Sequence, residues 1–519
     1  MTRPLLAFLV AVACALRAPS LHLGLWRDEG STYFDIAQAS LAGVVREVRL
    51  AEFSPPAYFL LLHLWSGLAG TSEIALRLPS LVFGLALVPA VYALARLVTS
   101  RKAALLAAGF AAFSTVGVTY SGEARPYALA ALLAALVAAL ALRVQTGARD
   151  DRMLAAYVAA ALLLAYVHYT GLIVIAALGI AGLPLLFHAA TRSRALVFLG
   201  ANAVVAVAYL PWMRVLFPIR HECFAFLAPL QAGAFGGRFI EQLGFALPVV
   251  FMHSQYAAAL ALACAFTVFS KDVRLRSLAL TVLLVTLIET QQLLREARYM
   301  FVVSPLADVL LASYCAYLVR PVVAFVRERT WPRAARLRTL GGCVLAVTLM
   351  AGLPAQSRAY AEFARAQARS GMRAMTADSP GAFDARTLVI VAPDYLGSSL
   401  RYYVRGRDIA VAGIPQWDTP EHVRCMPGAW RAPALVDDAV ARIAATAAAR
   451  YARISLVWDP SVADRGDVPY SLVLELRKRL QARFRELADH RYAGTSEPVG
   501  LTVFASDMPS PKASRSVPK

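Results

Sequence analysis

Long, predominantly apolar runs recur from Leu5 to about residue 355, most of them long enough to cross ~30 Å of hydrocarbon as a helix. Hydrocarbon offers no partner to a backbone N–H or C=O, so such runs are confined to structures that satisfy their own backbone. The chain has 519 residues and is 59% hydrophobic and 16% charged, whereas a soluble protein carries about 25% charged residues. The expected fold class is an α-helical polytopic membrane protein.

The charges orient it. A formal net charge of +19 invites a nucleic-acid reading, but much of the excess sits in short loops between apolar runs, where positive-inside bias accounts for it. The segment Pro56–Ala69 decides the topology. It is too short for a full span and suits a helix at the membrane interface. With it not crossing, the loops at Arg101–Lys102, Arg143–Arg152, Arg192–Arg194, Lys271–Arg276 and Arg320–Arg338 all fall on the cytoplasmic side. Leu5–Leu16 is then a retained first helix with a cytoplasmic N-terminus. With it the chain has about eleven transmembrane helices in all, including Ala103–Tyr120 and Leu340–Leu353, with a long outer segment at 213–250. The expected transmembrane domain is 1–355, with a first outer loop over 23–78 that carries interfacial helices.

Beyond residue 355 the long apolar runs stop. Thr387–Pro393 and Ile454–Trp458 read as buried strands, Val499–Phe504 as a last strand, and Leu472–Leu487 as an amphipathic helix. Residues 356–508 are expected to form a small soluble α/β domain outside the membrane, and 509–519 a disordered tail. The six cysteines show no paired spacing, so neither a zinc site nor a disulfide framework is indicated.

Polar groups gather in the outer loops of this topology. Asp28 and Glu29 follow the first helix, and Glu52 precedes Pro55, Pro56 and Tyr58. Glu123, Arg125 and Tyr127 sit at one helix mouth, His168 and Tyr169 at another, and Arg295, Glu296, Arg298 and Tyr299 at a third, with His221 and Glu222 in the long loop. Guanidinium gives phosphate bidentate hydrogen bonds and keeps its charge, and a carboxylate among such groups can take a proton from a hydroxyl or amine. Singly each has a plainer reading: arginines at helix ends snorkel to water, and His168 is an interfacial histidine. Glu289, deep in an apolar run, is a polar contact between helices.

In order, Trp26-Arg27-Asp28-Glu29-Gly30, Ser54-Pro55-Pro56-Ala57-Tyr58-Phe59, Thr71–Ser80, Tyr120–Leu129, His168-Tyr169-Thr170-Gly171 and Arg295–Tyr299 resemble the bacterial glycosyltransferase family 39 proteins over about residues 1–320. That family includes relatives of protein O-mannosyltransferases and the lipid A aminoarabinose transferase. The resemblance implies the membrane-embedded GT-C fold and a bacterial inner-membrane location. It also implies transfer of a sugar, with inversion, from a polyprenyl-phosphate donor to a lipid, glycan or protein acceptor. It maps the catalytic carboxylate onto Asp28, with Glu29 beside it. The substrate-binding set becomes Glu52, Pro55, Pro56, Tyr58, Glu123, Arg125, Tyr127, His168, Tyr169, Arg298 and Tyr299, with the arginines near the donor phosphate. No cofactor is expected, although a carboxylate pair can take a divalent cation. Ser54 departs from the lysine or histidine that the lipid A and protein transferases carry before the Pro pair, so acceptor identity does not transfer. Two rivals make other demands. A flippase for polyprenyl-linked sugars requires charge at mid-span, and a non-catalytic cell-envelope assembly protein tolerates exchange of the loop charges.

Overall fold

A computed structural model describes residues 2–52, 54–147, 150–224, 239, 263–265, 267–268, 270–290, 297–328, 368–414, 434–461 and 468–506. Its first part runs α1 (Thr2–Arg17), α2 (Arg27–Ile36), α3 (Leu41–Ala51), α4 (Ala57–Ala69), α5 (Glu73–Arg96), α6 (Arg101–Phe113), α7 (Thr115–Ser121) and α8 (Tyr127–Thr146). Then come α9 (Asp151–Val167), α10 (Tyr169–Gly182), α11 (Ala189–Phe224), α12 (Val273–Thr290), α13 (Ala297–Phe301) and α14 (Ser304–Glu328). The C-terminal part holds α15 (Met372–Asp378), β1 (Thr387–Ala392), α16 (Gly397–Tyr403), β2 (Ala410–Gly413) and α17 (Ala434–Arg450). It ends with β3 (Arg453–Trp458), α18 (Val468–Arg483), β4 (Glu486–Tyr492) and β5 (Val499–Ala505). The chain divides into two units. One gathers Met1–Leu21, Glu52–Phe217 and Leu227–Arg365; the other gathers His22–Ala51, Pro218–Phe226 and Ala366–Lys519.

The first unit is helical. Among the described residues five helices are long and apolar enough to cross a membrane, at Thr2–His22, Glu73–Arg96, Tyr127–Thr146, Tyr169–Phe187 and Ala189–Val215. A sixth is formed if α6 and α7, bent by 53° at their junction, count as one span. Small residues set their spacing. α6 buries Ala103, Ala104, Ala107, Ala108, Ala111 and Ala112, side chains that let neighbouring backbones approach closely where lipid supplies no hydrophobic drive. α4 is 13 residues, roughly 20 Å at the helical rise and shorter than the hydrocarbon, and Leu61, Leu64 and Leu68 on it are exposed.

Two expectations change here. Ala103–Tyr120 is not one straight span. Ser114 ends α6 in extended geometry and caps α7 by accepting from the Gly117 N–H at 2.9 Å. Arg17, wholly buried, sends Nη1 to the Ala112 carbonyl at 2.8 Å and Nη2 to the Ala111 carbonyl at 2.9 Å, satisfying acceptors that the break leaves open. Nor does a loop begin at 213, because α11 continues to Phe224 and so carries His221 and Glu222. The expected helix Leu340–Leu353, the tail 509–519, Arg295 and Glu296 lie outside the described residues.

The second unit contains a five-stranded sheet in the order β2-β1-β3-β5-β4. β2, β1 and β3 are parallel, whereas β5 runs antiparallel to both β3 and β4. Its central strands read as unbroken apolar runs because both faces are covered. Leu388, Ile390 and Ala392 of β1 pack with Ile443 of α17 and Leu476 and Leu480 of α18. Val389 and Val391 pack on the opposite face with Met372 and Met375 of α15 and Leu400 of α16. The helix expected at Leu472–Leu487 stops at Arg483; Glu486 and Leu487 open β4.

Candidate functional site

In the helical unit the charges centre on Arg125. It lies one residue before Pro126, which caps α8, and its two Nη atoms donate to Glu52 Oε1 at 2.7 Å and Oε2 at 2.9 Å. Both partners are buried, so removing either leaves the other as an unpaired charge in a poor dielectric. Tyr58 reaches the same place through Ser80, whose Oγ lies 2.9 Å from the Tyr58 hydroxyl and donates to the Arg125 carbonyl at 3.3 Å. Pro56 caps α4 and, with Ser54 and Pro55, is buried. Glu123 is buried in the turn just before Arg125.

An aromatic wall adjoins it. His168 separates α9 from α10 and caps α10, accepting from the Thr170 N–H at Nδ1 (3.2 Å). That bond places the proton of a neutral ring on Nε2. Burial first, then the positive charges of Arg125 and Arg298, push its pKa down to about 3, so the ring is neutral at physiological pH. Its centroid lies 4.6 Å from Tyr169 in a stack, 5.5 Å from Tyr127 and 6.0 Å from Tyr299. The Arg298 guanidinium sits 5.4 Å from the Tyr299 ring centroid and 6.0 Å from that of Tyr127, within cation–π range. Residues far apart in sequence thus form one cluster, buried at Glu52, Tyr58, Arg125, Tyr127 and His168 and half-buried at Tyr169, Arg298 and Tyr299. It offers a cation held against π faces and an imidazole N–H donor, and both suit an anion.

In the second unit Asp28 and Glu29 open α2, and their environments differ. Glu29 is buried and reaches back to the Trp26 N–H at 3.5 Å, the return half of a capping box. Asp28 keeps 23% of its side-chain surface and lies 3.6 Å from the Arg27 Nε. One carboxylate is spent on the helix, and the other remains reachable.

The second unit also supplies residues that no motif in the sequence points to. Glu497, just before β5, accepts from the Arg27 N–H at 2.8 Å with Oε2, and from Ser370 Oγ (2.6 Å) and Ser399 Oγ (2.8 Å) with Oε1. Burial pushes its carboxyl up to about 7, outweighing the serine hydroxyls and Arg27, which act the other way. No sequence signal marks it, because its partner lies 470 positions away. Among the described residues no three of His, Cys, Asp and Glu come together as a metal-holding group.

Residues 54–213 match the family described as dolichyl-phosphate-mannose-protein mannosyltransferase. No curated protein matches the chain by sequence. By structure it is similar to ArnT from Cupriavidus metallidurans in the apo state, at 14% identity and a TM-score of 0.58, over 96% of this chain and 97% of that one. It is also similar to the same protein bound to undecaprenyl phosphate, at 15% identity and a TM-score of 0.56, over 99% of each chain. A third likeness is to the archaeal oligosaccharyltransferase AglB from Archaeoglobus fulgidus in complex with an inhibitory peptide and a dolichol-phosphate. There the identity is 13% and the TM-score 0.53, over 98% of this chain and 74% of that one. At these identities the likeness is one of fold. With the family match, it bears out the resemblance to glycosyltransferase family 39 read from the motifs.

Proposed function

We propose that this chain is a membrane glycosyltransferase that moves a sugar from a polyprenyl-phosphate donor to an acceptor on the outer face of a bacterial inner membrane. In this reading about eleven helices span the bilayer and the C-terminal α/β domain lies outside. The observation that carries it is the fold shared along nearly the whole chain with a protein captured on undecaprenyl phosphate, together with the mannosyltransferase match over residues 54–213.

Asp28 is the general base. Its carboxylate takes the proton of the acceptor hydroxyl or amine as that atom bonds to the anomeric carbon. The bond from that carbon to the phosphate oxygen breaks on the opposite face, so the configuration inverts, and polyprenyl phosphate leaves with the bonding electrons. Arg298 stabilises the negative charge gathering on the leaving phosphate, aided by the His168 Nε2–H. Arg125, with both Nη atoms on Glu52, holds the wall in which those groups stand. Tyr58, Tyr127, Tyr169 and Tyr299 shape that wall, Glu123 lies beside it, and Pro55 and Pro56 set the entry to α4. Glu29 shapes the start of α2 and takes no proton. The reading needs no metal step.

The test is turnover of undecaprenyl-phosphate mannose in membranes at matched expression. A positioned general base contributes ~10²–10⁴-fold, so Asp28→Asn should lose that much turnover while Glu29→Gln loses less. Wild-type turnover by Asp28→Asn would end the proposal. A flippase would instead move the labelled lipid across the bilayer without releasing its sugar.

A further inference from the structure

The start of α2 is held through its backbone by C-terminal residues of its own unit. Arg373 Nη2 donates to the His22 carbonyl at 2.8 Å, and the Leu25 N–H donates to the Tyr403 hydroxyl at 2.6 Å. Ser398 Oγ donates to the Arg27 carbonyl at 2.7 Å while Glu497 takes the Arg27 N–H at 2.8 Å. Gly30 allows the approach, since a Cβ there would meet the Ser398 carbonyl carbon and the Ser399 nitrogen at 2.7 Å. The Arg27 guanidinium lies 4.6 Å over the Tyr395 ring. Within this grip the Asp28 side chain stays partly exposed.

An α-helix leaves its first N–H groups without intrahelical partners, and a carboxylate is the partner that its positive end favours. Supplying one from inside the protein is costly, because a buried carboxyl must be hydrogen-bonded on both oxygens. Ser370 and Ser399 both donate to Oε1 of Glu497, and the Arg27 N–H itself occupies Oε2. An aspartate or serine at position 26 would have capped α2 locally. The chain places Trp26 there and brings an acceptor from residue 497, which ties the start of α2 to the C-terminal residues of its own unit.

We propose that the C-terminal residues of this unit are a clamp for the acidic segment and that Glu497 is a positioning residue for Asp28. The clamp stands on the contacts above; its bearing on turnover rests on the reading of Asp28 as the base. Misplacing a reacting group by about 1 Å costs on the order of 10²-fold in rate. Glu497→Ala removes the acceptor. Glu497→Gln keeps one oxygen for the Arg27 N–H and turns its amide toward the serine hydroxyls, which can accept.

The experiment compares full-length wild type, Glu497→Ala, Glu497→Gln, Ser398→Ala and Asp28→Asn in nanodiscs. It has two readouts: hydrogen exchange of the amides at 27–30, and release of undecaprenyl phosphate from undecaprenyl-phosphate mannose per folded molecule. Glu497→Ala should exchange those amides at least about tenfold faster and lose on the order of 10²-fold in kcat, with the donor KM unchanged within about twofold. Glu497→Gln should restore protection and most of kcat. Unchanged exchange in Glu497→Ala refutes the clamp; faster exchange with unchanged kcat refutes the positioning role. Should Glu497→Ala not fold, Ser398→Ala, which loses one hydrogen bond to the Arg27 carbonyl, tests the clamp and the positioning role by the same two readouts with smaller changes. Wild-type turnover by Asp28→Asn would overturn the base reading and the positioning role with it, while the exchange result still decides the clamp.

Discussion

At the scale of single residues, two buried carboxylates behave in opposite ways. Glu52 is matched by the Arg125 fork, so Arg125→Ala strands a carboxylate in an apolar wall and should cost about 3–5 kcal/mol of stability. The paired change Glu52→Gln with Arg125→Ala should cost less than Arg125→Ala alone, read as thermal midpoints in detergent. Additive losses would show that the pair is not the unit described. Glu497 has only neutral hydrogen-bond donors and is pushed up to about 7 from an ordinary 4.5. Between those values the folded chain holds a proton that the unfolded chain has lost, so Glu497 makes stability fall as pH rises from about 4.5 to 7. The effect is on the order of 3 kcal/mol. Glu497→Gln should remove that fall, and the difference between its melting temperature and that of the wild type should grow in its favour across this window. The candidate residues Glu52, Arg125 and Arg298 were legible because charge beside an apolar run needs a reason. Glu497 was not, since nothing local distinguishes it from a solvated loop glutamate.

Among the elements, legibility followed the covering of faces. β1 and β3 are covered on both sides and announce themselves as apolar runs, as does β5. β2 and β4 are the outer strands of the sheet; β4 carries Glu486, Asp489, His490 and Arg491 largely exposed, charges that protect an edge and hide its period. The break between α6 and α7 was hidden too. Ser114 is compatible with a continuous helix, and the guanidinium that takes the Ala111 and Ala112 carbonyls at the break comes from the distant Arg17. Arg17→Met keeps much of the volume but strands the Ala111 and Ala112 carbonyls, at about 1–3 kcal/mol for each buried acceptor left unsatisfied. The thermal midpoint in detergent should drop accordingly. A change within error would mean that the break keeps itself open without Arg17.

For the molecule as a whole, the one-sided arginine and lysine loops predict that a reporter fused after Arg338 reads cytoplasmic and one fused at Ser379 reads outside. A cytoplasmic signal at Ser379 would remove or add a span and invert the exported position of the sheet. Apolar length announced a membrane fold, whereas the grouping of residues 22–51 with the C-terminal residues was not legible. Residues 22–51 lie between apolar runs yet fold with the C-terminal residues, through contacts that exist only in three dimensions. The Arg27 N–H waits 470 positions for Glu497, and the strand that follows Glu497 enters the sheet between β3 and β4. A ribosome adding ~5–20 residues per second needs roughly 25–95 s to cover that distance. Throughout that interval the nascent chain carries its acidic segment with the Arg27 N–H not yet joined to Glu497, and a stretch translated long after it makes that bond. Synthesis order thus acts as a check on completeness: a polypeptide cut short before Glu497 lacks the acceptor of the Arg27 N–H, and with Glu497 as the positioning residue it should leave Asp28 unseated.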